Sequence, residues 1–170
     1  MPPSIFSQKA ASKDRVMMNQ SIQPAQQQAM AGAITTPGIV AIVDDDPYIS
    51  CALGMWLELY GLRATHHTSG ESLLQAIHQE EGRLVVDIAV GNDVQLPLLG
   101  AILDLNLPGV TGIELAHTLR DLAPDLPLTI ITALRDDERT RYGNLPPGIC
   151  CLKKPFDLDL LEDALSLLLQ

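Results

Sequence analysis

The chain has 170 residues, 46% of them hydrophobic and 19% charged, which suits one domain with a core of its own and little more. The net charge is −10; Lys9, Lys13 and Arg15 against Asp14 give residues 1–38 a charge of +2, so the rest carries −12. Such an acidic body argues against direct nucleic-acid binding, which needs clustered Lys and Arg, and no apolar run reaches membrane-spanning length. Three cysteines, Cys51 and the vicinal Cys150 and Cys151, give no disulfide framework and suit a reducing compartment. The first thirty residues hold no continuous apolar stretch of the signal-peptide kind, so a cytoplasmic location is expected.

Residues 1–37 read as a disordered tail. They are rich in Gln, Ala, Ser and Met, and their apolar residues are too sparse to offset the entropy of ordering. From Gly38 onward strand and helix signals alternate. Ile39 to Val43 is a short β-branched run that suits a strand buried on both faces. Asp46-Pro47 opens a helix, Asp as N-cap and Pro in the first turn, with Ile49, Leu53, Trp56, Leu57 and Tyr60 on its apolar face and Gly61 ending it. Leu62 to Thr68 is a weaker strand. Ser69 caps a second helix whose inward residues are Leu73, Leu74 and Ile77.

Leu84 to Val90 reads as a strand and Gly91-Asn92-Asp93 as a turn. Leu98 to Leu103 is another apolar run, ending at Asp104. Pro108-Gly109 marks a turn, and Thr111 with Glu114 forms a capping box for a helix to about Leu122. Leu126 to Thr132 is a buried strand. Asp136 to Tyr142 reads as a short charged helix, Ile149 to Leu152 as a strand, and Asp157 as the cap of a last helix to Leu169. This succession predicts an α/β fold: a doubly wound, five-stranded parallel sheet of order 2-1-3-4-5 with helices on both faces.

In such a sheet ligands bind beyond the carboxyl ends of the strands, where the strand order reverses. Asp44 and Asp45 follow the first strand and Asp104 ends the third, so three carboxylates are expected at one crevice. Like charges that close repel, and Mg²⁺, which takes oxygen ligands and keeps several waters, is the natural guest. Thr132 at the end of the fourth strand and Lys154 after the fifth should reach the same place. A carboxylate nucleophile, a metal, an ammonium and a hydroxyl donor make a phosphoryl-transfer set.

The segments IVAIVDDDP, ILDLNLPGVTGIEL, IITA and LKKPF, in that order and at strand ends, resemble the receiver domain of two-component response regulators over residues 38–170. By position, the resemblance makes Asp104 the phosphoacceptor. It makes Asp45 a direct Mg²⁺ ligand, Asp44 a ligand largely through water, and the backbone carbonyl of Asn106 another. Thr132 would follow the phosphoryl group and Lys154 would pair with it. The phosphoryl donor would be a sensor histidine kinase or a phosphotransfer protein. The output would be a changed surface for a downstream protein target, the receiver contributing to its own phosphorylation and dephosphorylation.

Three features depart from the family pattern. Residues 81–97 form an insertion, an extra strand or hairpin. An alternative register with Asp87 as acceptor is rejected, because Asp104 has Asn106-Leu107-Pro108-Gly109 after it and the better distance to Thr132. Cys151 stands three before Lys154, where the family often has an aromatic residue. The chain stops after the last helix, so a stand-alone receiver is expected. Leu134, two past Thr132, lies where the family tunes the phosphoryl lifetime, and its apolar side chain points to slow loss. Asp46 reads as an N-cap only and Lys153 as solvent-facing. His66 and His67 should face opposite ways, and with His78 and His117 they show no metal-ligand spacing. Leu158, Leu161, Leu165 and Leu168 are the core face of the last helix. Leu160, Leu167 and Leu169 are candidates for a docking surface or a phosphorylation-dependent homodimer. Two other functions fit less well: a phosphorylation-independent docking module, and a phosphatase of the haloacid-dehalogenase kind, whose Asp-x-Asp order after the first strand is not the order here.

Overall fold

The computed structural model describes residues 38–89, 92–133 and 143–156, with 160, 161, 163, 164 and 166. The tail, the expected helix Asp136 to Tyr142, Leu134, Asp157, and Leu158, Leu165, Leu167, Leu168 and Leu169 lie outside the described residues.

Strand β1 spans Ile39–Val43 and every residue in it is buried. Its alternation divides the core: Ile39, Ala41 and Val43 join one hydrophobic cluster, Val40 and Ile42 the other. Helix α1, Pro47–Leu59, packs Leu53, Trp56 and Leu57 on the second cluster. It begins at Asp46, whose carboxylate accepts from the Tyr48 and Ile49 amides. The chain leaves it through Gly61, at φ +74°, where a side chain would be strained. Strand β2, Arg63–His67, pairs in parallel with β1.

Helix α2, Gly70–Ala76, is capped by Ser69 as expected but stops a residue short of Ile77. Ile77 instead opens β3, Ile77–Glu80, which turns at Glu81-Gly82 into β4, Arg83–Ala89. Glu80 faces Arg83, so the loop has two residues, and both have positive φ (49° and 80°). That is the backbone of a type I′ hairpin turn, whose twist matches the flanking strands. Strand β5, Asn92–Asp104, is one continuous strand of 13 residues, so Asn92 and Asp93 belong to a strand and not to the expected turn. Its first half pairs antiparallel with β4 and its second half parallel with β1 and β6.

Helix α3, Gly112–Leu122, has the full capping box: Thr111 Oγ1 accepts from the Glu114 amide, and the Glu114 carboxylate accepts from the Thr111 amide. Strands β6, Leu128–Thr132, and β7, Cys150–Lys153, complete a parallel run β2-β1-β5-β6-β7. The expected five-stranded order is therefore present, and β4 and β3 enlarge the sheet to seven strands. Helices α2 and α3 lie on one face; α1 and the helical residues around Leu161 and Ala164 lie on the other. Among the described residues no helix is long and apolar enough to cross a membrane.

Gly112 sets how closely α3 approaches the end of β5. A Cβ there would meet the Asp104 carbonyl oxygen and lie 2.9 Å from Leu105 Cα, both backbone atoms with little room to give. Gly112→Ala should cost about 1–3 kcal/mol by overpacking, read as a lower thermal unfolding midpoint; an unchanged midpoint would mean that the loop shifts freely.

Candidate functional site

The carboxyl ends of β1, β5, β6 and β7 deliver Asp44, Asp104, Thr132 and Lys154 to one end of the sheet. Backbone bonds fix each exit. The Asp44 amide donates to the His67 carbonyl, the Leu105 amide to the Ile131 carbonyl, and the Lys154 amide to the Thr132 carbonyl. Thr132 is 3% exposed, and Asp44 and Asp104 are 2% and 7% exposed, burial almost never seen for acids unless they are paired. Asp45 is exposed.

Lys154 explains how two acids are buried together. Its ammonium lies 3.0 Å from Asp44 Oδ2 and 2.6 Å from Asp104 Oδ1. The remaining oxygen of each acid is used locally. Asp44 Oδ1 accepts from the Asp46 amide at 2.9 Å, and Asp104 Oδ2 accepts from the Asn106 amide at 2.8 Å. Both are Asx-type contacts to the amide two residues on. Each carboxylate thus turns one oxygen to its own loop and the other to the shared cation. The peptide bond from Lys154 to Pro155 is cis.

Charge is not balanced. Burial pushes the Asp44 carboxyl above its ordinary value, since the Asp46 amide and Lys154 offset it only in part and the Asp104 charge adds to it. For Lys154, burial disfavours the charge, but the bonds to Asp104 and Asp44 outweigh it and hold the ammonium above its ordinary value. The two groups differ in their bonding: Lys154 has two carboxylate partners, whereas Asp44 shares that one cation with Asp104.

Asp44, Asp104, Lys154 and the Asn106 amide are thus brought together directly, with Thr132 beside them at the end of β6. Asp45 is not part of this hydrogen-bonded cluster. Among the described residues no three His, Cys, Asp or Glu side chains are gathered as a metal cage. A magnesium site built from one or two carboxylates, a carbonyl and water would not need such a cage. Two buried carboxylates against one ammonium form a hard, net-negative oxygen donor set that fits a small divalent cation.

Asp87, the rejected alternative, lies on β4 outside the parallel run, accepting from Gln95 and lying 3.7 Å from His78. Lys153 is exposed and Asp46 caps α1. His66 and His67 do face opposite ways: His66 Nδ1 bonds Ser50 of α1 and His67 Nδ1 bonds Ser72 of α2. Glu71 is a residue that sequence reasoning passes over. Its Oε1 accepts from the Val110 amide at 3.0 Å, reaching across to the loop after Asp104. The one sequence signal is an acid in the first turn of a helix, which also has a purely local use.

Residues 40–166 match the response regulator receiver domain family. The chain belongs to that family. The DNA-binding transcriptional regulator NtrC of Escherichia coli K12 is 29% identical over 133 residues, covering 76% of this chain and 25% of NtrC. This receiver spans between about a quarter and a half of the length of the curated relatives it matches first. A CheY-like receiver from Methanospirillum hungatei superposes with a TM-score of 0.60 at 23% identity, over 78% of this chain and 94% of that one. The response regulator TrrA of Thermotoga maritima, solved in complex with Mg(2+)-BeF, gives 0.54 at 24% identity, over 78% and 99%. The general function of the family is to accept a phosphoryl group in two-component signalling.

Removing the shared cation tests the charge arrangement in metal-free receiver. Lys154→Met leaves two buried acids without a counter-charge, which should cost about 3 kcal/mol at neutral pH. Burial raises the Asp44 carboxyl and Lys154 opposes that rise, so losing the lysine raises it further; the added cost of keeping Asp44 ionised is full above its folded value, falls as pH drops through that value, and is gone below the ordinary carboxylate value. The loss should therefore shrink between pH 7 and pH 4 in urea denaturation. A loss of equal size at both pH values would assign it to the lysine's alkyl stem instead.

Proposed function

We propose that Asp104 is the phosphoacceptor of this receiver and that Asp44, Asp45, Asp104 and the Asn106 carbonyl hold Mg²⁺ beside it. The observation that carries the reading is the buried pair Asp44 and Asp104 sharing one ammonium at the carboxyl ends of the strands. Bound there, Mg²⁺ would supply charge neutralisation to the incoming phosphoryl group.

The chain's own groups account for the rest. An Asp104 carboxylate oxygen attacks phosphorus; the bond from phosphorus to the donor's nitrogen breaks, and the donor leaves as a neutral imidazole once protonated. The donor class is a histidine phosphorylated on a sensor kinase or phosphotransfer protein. The Asn106 amide keeps the other Asp104 oxygen occupied, so the acid presents one defined face. The Lys154 ammonium, already 2.6 Å from Asp104, exchanges its carboxylate partner for a phosphoryl oxygen. The Thr132 hydroxyl donates to another. A group of charge near −2 in place of a carboxylate biases a two-state surface, which a downstream protein target reads. The receiver spans residues 38–170 and works in the cytoplasm, with residues 1–37 as a leader of separate character. Residues 77–97 add three antiparallel segments to the parallel sheet.

The test is intact mass after incubation with Mg²⁺ and a small phosphodonor, acetyl phosphate or phosphoramidate. Wild type should gain one phosphoryl adduct that needs Mg²⁺, and Asp104→Asn should gain none. Thr132→Ala should still form the adduct, more slowly. Trp56 lines an apolar cavity of about 380 Å³ together with Lys154, so its fluorescence should change with Mg²⁺. A folded protein that shows neither adduct nor fluorescence change would leave a phosphorylation-independent docking module as the reading.

A further inference from the structure

The loop Leu105 to Val110 carries Asn106, whose amide and carbonyl both enter the proposed site. Its two ends are fixed by the strand and helix that flank it: the Leu105 amide bonds Ile131, and the Gly112 amide bonds Leu105 at 3.1 Å. Leu105 and Leu107 are buried in the core. The turn between Pro108 and Val110 is exposed and has Gly109 at φ +79°. What meets that turn is the start of α2. Glu71 Oε1 accepts from the Val110 amide at 3.0 Å, and the same carboxylate oxygen lies where a Cβ on Gly109 would stand. Beside it Gly70 is buried, and a Cβ there would come within 3.3 Å of Val110 Cβ. The loop and the helix start are therefore in direct contact through a carboxylate and two glycines, 39 residues apart in sequence.

We propose that Glu71 is a positioning residue for the phosphoacceptor loop: by clamping Val110 it fixes the backbone that presents the Asn106 carbonyl to Mg²⁺. The inference rests on the reading of Asp104 and Asn106 above. Glu71 touches neither metal nor phosphoryl group. Hydrogen bonds from its own amide, the Val110 amide and Ser69 hold its carboxyl below the usual range, which keeps it an acceptor for the amide. Partners that orient a metal's ligands from behind are worth 10-fold or more in affinity.

Three proteins are compared: wild type, Glu71→Ala, and Glu71→Gln, whose amide oxygen can still accept from Val110. In metal-free protein, hydrogen exchange of the Val110 and Asn106 amides should accelerate in Glu71→Ala and stay near wild type in Glu71→Gln. Mg²⁺ affinity, from Trp56 fluorescence, should weaken on the order of tenfold in Glu71→Ala and recover in Glu71→Gln. At saturating Mg²⁺ the rate of adduct formation should match wild type. Unchanged exchange in Glu71→Ala would overturn the clamp. Faster exchange with unchanged Mg²⁺ affinity would overturn the positioning role and leave Glu71 a stability residue. A wild type that neither binds Mg²⁺ nor takes a phosphoryl group would remove the underlying reading, and the exchange data would still say whether the clamp exists.

Discussion

The ammonium of Lys154 makes the end of the sheet possible. Bringing β1 beside β5 in a parallel register places Asp44 and Asp104 against each other under the surface. Buried acids at such a distance would either protonate or force the strands apart. One lysine, delivered by β7 across β6, satisfies one oxygen of each, and two loop amides satisfy the others. The solution is incomplete by one charge. A buried ion pair is poor support for stability compared with an apolar core of the same shape. What the arrangement leaves is a crevice with one uncompensated negative charge.

The rest of the fold serves that end. The all-buried strands β1 and β6 form a stiff centre, and the two hydrophobic clusters clamp it from both faces. Gly112 and Glu71 then bring α3 and α2 onto the loop after Asp104. Asp104 is thus supported from beneath by the sheet and from the side by two helix starts.

Much of this was legible in the sequence because local chemistry and tertiary role agree. Asp46-Pro47, Thr111 with Glu114, and the runs around Val43 and Ile131 mark their elements without help from distant residues. Strand ends carrying Asp44, Asp104, Thr132 and Lys154 follow once the parallel order is accepted. Residues 77–97 were harder. Ile77 follows Leu73 at helical spacing, and His78, Gln79 and Glu80 suit a helix surface as well as a strand. The deciding signal is Glu81-Gly82, where a non-glycine residue takes positive φ, an uncommon conformation that the residue type does not announce. Glu71 stayed hidden for a different reason. Its partner lies 39 residues away, and only the packing of Gly70 on Val110 brings the two together. The exposure of Asp45 against the burial of Asp44 is likewise set by how the chain leaves β1 toward the Asp46 cap.

The separation between Lys154 and Asp44 is 110 residues. During synthesis the chain therefore makes both acids long before it makes their cation. Until β7 emerges and docks beside β6, the acidic end of the sheet lacks its counter-charge, and the pairing of β1 with β5 must form against that repulsion. The last parallel strand to be made is the one that neutralises the first, so a nascent chain gains its charge-compensated site only once nearly the whole sheet is present.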